Sequence, residues 1–501
     1  DVSHHLSLPK SACLHIPRTF YTMKSQSATD LGNLVKIYWS LLLGNIVEWY
    51  EYAIYGHLAV ALERHFFRGS AIGVWIGFGV TFLARPLGGI VLGAIGDKFG
   101  RSVAVNISII GMLIGTCGQG CLPTGGPGRE WLTDLSLALL VILRFIQGLS
   151  AAGEIVTITT YLTEVSSHRM ICRGVALIAV TVNLGFLSAK AVSFAVEAIF
   201  GEAAVEEWAW RIPFLLAIIP GMIAVIGRRG IPESGMFLAN KAANAHAEEE
   251  KALSKVGRAL SGYWPNILLG MFGVFGFAVV QYSCFVWTQS FLATHGMTPG
   301  NRMIVGLIAR LLQTVLAIPL GYVADIVGIG SVMVFGAITT TVLAIPFWAV
   351  ILNHPTNLTA VALAFGVGCG TLGLLITALP YYYVVELFPT EIRNTAVGIS
   401  YNLGFAIFGG LSPVVAEVLL QAFPMGPGVL WAFGSFATLL SIVIGVMLQR
   451  AGKITLAHVR KYPYFGHSTF ADNKYAKADI KDIENSSSSD YSSEYNSNSS
   501  A

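Results

Sequence analysis

Residues 93–103 read GAIGDKFGRSV and residues 321–332 read GYVADIVGIGSV, so Gly93, Asp97 and Gly100 stand at the same spacing as Gly321, Asp325 and Gly328. A second pair is sharper. NLGF occurs at 183–186 and again at 402–405, and upstream of it Tyr161, Glu164 and Arg173 are echoed by Tyr383, Glu386 and Arg393. Two halves of one chain carry the same landmarks in the same order. Parallel repeats of this kind build two helical bundles that rock about a central site.

Around these landmarks the chain is written for a bilayer. Of its 501 residues, 54% are hydrophobic and 12% charged, against about 25% charged in soluble domains. The mean hydropathy is +0.65. Twelve stretches approach the ~20 apolar residues that a spanning helix needs: roughly 36–60, 71–95, 103–122, 136–158, 172–196, 211–230, 263–292, 303–324, 331–352, 358–384, 394–420 and 428–450. They are long and do not alternate, which fits helices and not barrel strands. The expected fold class is an all-α membrane protein, twelve transmembrane helices in two six-helix bundles.

The expected divisions are 1–35, a disordered or mis-started N-terminal segment; 36–231, the first bundle; 232–262, a polar cytoplasmic linker; 263–450, the second bundle; and 451–501, a disordered cytoplasmic tail. Met23 opens MKSQSATDLG as a candidate start, so residues 1–22 read as untranslated sequence or a targeting peptide. The tail's ENSSSSDYSSEYNSNSS is Ser-rich and acidic. With both termini cytoplasmic, Lys and Arg near the inner span ends outnumber those on the outer side, with residues such as Lys98, Arg101, Arg228, Arg229 and Lys251 inside against Arg64, Arg68 and Arg302 outside. Asn357-Leu358-Thr359 is then an outer sequon. Trp39, Trp131, Trp208, Trp264 and Trp348, near span ends, read as interface anchors. The plasma membrane is favoured, with an organelle membrane as the alternative.

The net charge of +3 gives a nucleic-acid partner no support. The six cysteines form no disulfide framework or metal-ligand spacing. No nucleophile motif or phosphate-binding loop points to an enzyme, and no cofactor is expected. The lipid bilayer, a small organic solute and protons are the partners expected, for a chain working as a monomer.

GDKFGR at 96–101 resembles the signature loop of the major facilitator superfamily. GNIVEWYEYAIYG (44–56), FLARPLGG (82–89), LRFIQGLSAAGE (143–154), WRIPFLLAIIPG (210–221) and ELFPTEIRNTAVGISYNLGFAIFGG (386–410) are similar to one branch of it, the metabolite:proton symporters. Members of that branch move carboxylates such as 2-oxoglutarate, citrate and shikimate, or zwitterions such as proline and betaine, and the resemblance implies that range. Two departures stand out. Ser102 replaces the second basic residue of the signature loop, and the second copy has no Arg or Lys after Asp325, which implies that its inner gate is held differently.

An ionised side chain in mid-span costs about 2.5–3.5 kcal/mol on insertion scales, yet the spans hold Glu48, Glu51, Arg85, Arg144, Glu154, Lys190 and Arg310. At 100° per residue, Gly44, Glu48, Glu51, Tyr52 and Tyr55 share one face of the first span, with Ile46, Trp49 and Ala53 elsewhere. Desolvation penalises the charged form of a carboxylate, so Glu48, Glu51 and Glu154 are the candidates for proton coupling. The alternative for each is a helix-locking ion pair. Tyr52, Tyr55, Arg85, Arg144, Gln147 and Lys190 are the candidate solute contacts. Arg85 either grips a carboxylate bidentately or pairs with Glu48 or Glu51, and Lys190 either binds a carboxylate or snorkels outward. Arg310 reads as a pairing residue.

Asp97, Arg101, Glu164, Asp325, Glu386 and Arg393 read as gates. Asp97 would face a helix N-terminus, and Arg101 would pair with Glu154 or Glu164. Together these point to proton-coupled symport of a small organic solute by alternating access, with a mono- or dicarboxylate favoured. A zwitterionic osmolyte caged by Tyr52 and Tyr55 is the nearest alternative, and a membrane nutrient sensor the alternative of another class.

Overall fold

The structure is a computed structural model that describes residues 31–99, 101–125, 128–166, 170–228, 252–388 and 393–454. The expected N-terminal segment up to residue 30, most of the linker and the Ser-rich tail lie outside those residues.

Twelve long helices make up the described chain. They are α1 (Leu31–His57), α2 (Ala71–Phe99), α3 (Arg101–Gly120), α4 (Glu130–Ala151, resuming as Glu154–Val165), α5 (Ile171–Phe200) and α6 (Arg211–Arg228), then α7 (Leu260–Thr294), α8 (Pro299–Val327), α9 (Ile329–Asn353), α10 (Leu358–Glu386), α11 (Thr395–Ala422) and α12 (Gly426–Arg450). Eleven join length to high hydropathy. The twelfth, α1, is 27 residues long and carries Lys36, Glu48 and Glu51. Helices suit this environment because each satisfies its own backbone hydrogen bonds. Local signals set their starts. Thr298 accepts from the Asn301 N–H, with Pro299 in the first turn of α8, and Asn357, the sequon asparagine, accepts from the Ala360 N–H to begin α10.

The two bundles meet chiefly where α5 packs along α8 and α2 along α11. The end where α1 begins is called the near end below, and the end where it finishes the far end. At the near end Gly321 of α8 lies so close to α5 that an added Cβ would sit 2.9 Å from the Cys172 carbonyl oxygen. At the far end Gly79 of α2 meets Gly410 of α11, a Cβ on the former falling 3.1 Å from the latter's carbonyl. Small residues at these crossings let the backbones touch.

Among the described residues four stretches widen to π-helical turns: Val205–Ala209 just before α6, Val280–Trp287 in α7, Ala362–Cys369 in α10 and Phe405–Gly409 in α11. Such turns gather at functional sites, and the three that lie within spans all belong to the second bundle. From Val47 to Gly56 α1 is buried on every side. The stripe expected on one face is therefore part of a fully enclosed helix, and Trp49 and Ala53 are as covered as the acids. Trp39, Trp131, Trp208 and Trp264 are exposed. Trp348 is not: it is fully buried and its indole N–H donates to the Pro424 carbonyl at 2.8 Å. It is a core residue of the second bundle rather than an interface anchor.

Candidate functional site

Glu48 and Glu51 lie within one turn of α1, and each meets a different set of neighbours. Glu48 forms an ion pair with Arg85 of α2, both side chains fully buried. Pro86 follows Arg85 inside α2. The Arg85 guanidinium also donates to the Tyr52 hydroxyl, at 2.9 Å from Nη2 and 3.2 Å from Nε. One atom on each partner, Glu48 Oε2 and Arg85 Nη1, has no hydrogen-bond partner among the described residues.

Rings from both bundles roof this pair. Tyr282, on the π-helical stretch of α7, stacks on Trp49 at 6.0 Å and stands edge-on to Phe82 at 4.8 Å. Phe277, Phe405, Tyr381 and Tyr401 continue the aromatic wall behind it.

Among the described residues no cation touches Glu51. Its Oε2 accepts from Gln147 Nε2 at 2.8 Å, and the same amide nitrogen reaches Thr116 at 3.0 Å. Arg144 donates to the other end of that amide, Gln147 Oε1, at 2.9 Å, and to the Phe78 carbonyl at 3.1 Å. Gln147 thus stands between acid and guanidinium. The Arg144 guanidinium lies over the Tyr55 ring at 4.2 Å, and the Tyr55 hydroxyl donates to the Val74 carbonyl at 2.9 Å.

Glu154 is held by Arg228 at the end of α6. The pair is bidentate, with the Nη1–Oε2 contact at 3.0 Å, and Arg228 also donates to the Val105 carbonyl. Gly44 makes room for it, since a Cβ there would lie 1.7 Å from Arg228 Nη2. Of the two acids expected to meet Arg101, Glu154 is thus held by Arg228, and Glu164 lies among the side chains that are not described. Arg228, read in the sequence as a cation near an inner span end, is buried.

Lys190 does not snorkel. It is buried, and its ammonium donates to Gln289 Oε1 on α7. Arg310 also departs from expectation, because no carboxylate pairs with it among the described residues. It donates to Asn183 Oδ1 and Gln313 Oε1 at 3.0 Å and to Gln281 Oε1 at 3.3 Å, sandwiched between Phe186 (3.8 Å) and Phe285 (4.5 Å). These buried amides are the functional candidates that a search for charges alone overlooked. An Asn or Gln inside an apolar run was the available signal.

At the near end Asp325 Oδ1 accepts from the Cys172 N–H at 2.9 Å and Oδ2 from Arg173 Nε at 2.7 Å. The acid of the second bundle thus caps the N-terminus of α5 in the first, where a negative charge suits the helix dipole. Each of the three matched positions in the second copy has a physical use. Gly321 admits α5, Asp325 holds it, and Gly328, at φ 88°, turns the chain into α9. The cation missing after Asp325 is supplied by Arg173 across the interface. Glu386 is buried in the last turn of α10. The side chains of Asp97, Arg101, Glu164 and Arg393 lie outside the described residues.

The profile described as "Sugar (and other) transporter" matches residues 38–262. The ectoine/proline transporter ProP of Corynebacterium glutamicum is 32% identical over 397 residues, 76% of this chain and 77% of that protein. The alpha-ketoglutarate permease of Escherichia coli is 31% identical over 82% of this chain and 92% of its own length. The citrate-proton symporter of Klebsiella pneumoniae is 26% identical over 83% and 92%. Among solved structures, the proton:xylose symporter XylE superposes with a TM-score of 0.67 over 83% of this chain and 95% of that one, at 15% identity, a likeness of fold.

Proposed function

The chain belongs to the major facilitator superfamily, in its metabolite:proton symporter branch, and on that premise we propose that it carries a small carboxylate together with protons by alternating access. Members of this superfamily are transporters and not enzymes. The observation that carries the reading is the division of labour among three buried acids. Glu48 has Arg85 and Glu154 has Arg228, whereas the partners of Glu51 among the described residues are neutral, the Gln147 amide and the Thr116 hydroxyl. A lone buried negative charge is costly, and a proton removes it. We assign the coupling proton to Glu51.

Glu48 and Arg85 then act as a pair that opens for solute. A carboxylate reaching Arg85 would compete with Glu48 for the guanidinium, whose planar fork suits that exchange. The pair lies under Tyr282 and faces the second bundle, so solute bound there would touch both halves. In this reading Arg173 and Asp325 hold the cytoplasmic end closed, both termini lie in the cytoplasm, and a single chain suffices in the plasma membrane.

Named relatives carry carboxylates or zwitterions. The carboxylate is favoured here because the face of Tyr55 is already taken by Arg144, and Arg85 lies 5.1 Å from the centre of the Tyr52 ring. The two rings are therefore not open to cage a quaternary ammonium. Proteoliposomes holding the purified protein, with an imposed inward proton gradient and radiolabelled 2-oxoglutarate, lactate or betaine outside, test this. Gradient-driven accumulation of an acid is expected. Accumulation of betaine alone would transfer the protein to the zwitterion carriers, and binding without accumulation would favour a sensor.

A further inference from the structure

Lys190 and Arg310 lie in a cleft at the far end between α1, α5, α7 and α8, apart from the Glu48–Arg85 pair. His57, Gln289, Glu197 and Arg302 line its mouth, and Phe186 and Phe285 its floor. Glu197 and Arg302 approach each other to 3.6 Å. Neither Lys190 nor Arg310 forms an ion pair with a carboxylate among the described residues. Their hydrogen bonds go to the amides of Gln289, Asn183, Gln281 and Gln313.

Two further facts argue that this polarity serves a ligand. Arg310 Nη2 and Gln289 Nε2 are buried donors without acceptors among the described residues, where a structural network would leave few donors unused. Gly306 of α8 is also in contact with the lysine chain, since a Cβ there would stand 3.0 Å from Lys190 Nζ. Gly306 is one turn before Arg310, so the lysine meets α8 about 6 Å along its axis from the point where the arginine side chain leaves it.

We propose that Lys190 and Arg310 form a separate anion site and that its ligand is a short organic dianion, each carboxylate meeting one cation. The proposal rests on the transport reading in that the ligand is the carried solute on its way to Arg85. Lys190 comes from the first bundle and Arg310 from the second, so such a ligand would bridge the halves. The cleft encloses about 50 Å³ at its mouth, too little for a diacid, so the solute enters only when α5 and α8 part at this end.

Equilibrium binding to the purified, detergent-solubilised protein tests the site without requiring transport. Succinate, malate and 2-oxoglutarate would be compared with acetate and betaine on the wild type, on Lys190→Met, on Lys190→Arg and on Arg310→Gln. The wild type should bind a dianion more tightly than acetate or betaine by about tenfold or more, the worth of one charge-assisted hydrogen bond. That preference should vanish in Lys190→Met and Arg310→Gln and largely return in Lys190→Arg. Equal affinity for dianion, monoanion and betaine in the wild type would overturn the site, whatever the variants do. So would unchanged selectivity in correctly folded Lys190→Met. A dianion that binds selectively but is not accumulated under a proton gradient would leave the site standing and refute the symport reading instead.

Discussion

Glu48 and Glu51 are three residues apart on one helix, yet only the first has a guanidinium against it. The charges themselves were legible in the sequence, because acids and bases inside apolar runs need a reason to be there. Their partners were not. Which cation meets which acid depends on how helices far apart in the chain pack, and so Arg228 looked like a loop residue and Arg310 like half of an ion pair. The Glu154–Arg228 pair lends itself to a stability test. Removing one member leaves a buried charge uncompensated, at a cost of about 3–5 kcal/mol. Arg228→Met should therefore lower the melting temperature in detergent clearly, and Glu154→Gln with Arg228→Met should recover much of the loss. A single mutant as stable as the wild type would mean that the pair locks nothing.

The helices were the most readable level. Length and hydropathy located the spans, and NLGF and the Gly–Asp–Gly spacing revealed the repeat. What escaped was anything set by contact across helices. The π-helical turns of α7, α10 and α11 have no signature in a run of apolar residues, and Trp348 is a core residue although it sits near a span end. Glycines carry a prediction at this scale. A Cβ on Gly88 would fall 2.1 Å from the Leu149 carbonyl, and one on Gly148 1.9 Å from that of Thr81, so α2 and α4 cross almost backbone to backbone. Gly88→Ala should destabilise by about 1–3 kcal/mol through overpacking, read as a fall in melting temperature. Gly262→Ala in α7, where nothing lies within 4 Å, should leave it unchanged. Equal effects at the two positions would argue against that crossing.

At the near end Asp325 of one bundle is bound to Cys172 and Arg173 of the other, the contact that the proposed gate rests on. Asp325→Asn would keep the shape and remove the charge. The α5–α8 crossing should then open more often, and Cys172, now fully buried, should react several-fold faster with a membrane-impermeant maleimide applied from that side. Site-resolved mass spectrometry would read the change, and an unaltered rate would show that the gate is held by something else. Coupling is a property of this same scale, since one proton must change the fate of two bundles. Its most direct measurement compares the wild type with Glu51→Gln in proteoliposomes, following both proton-gradient-driven accumulation and gradient-free counterflow of the transported acid. We predict that Glu51→Gln abolishes accumulation and preserves counterflow. Accumulation at the wild-type level in that variant would contradict the assignment of the proton to Glu51 and the account built on it.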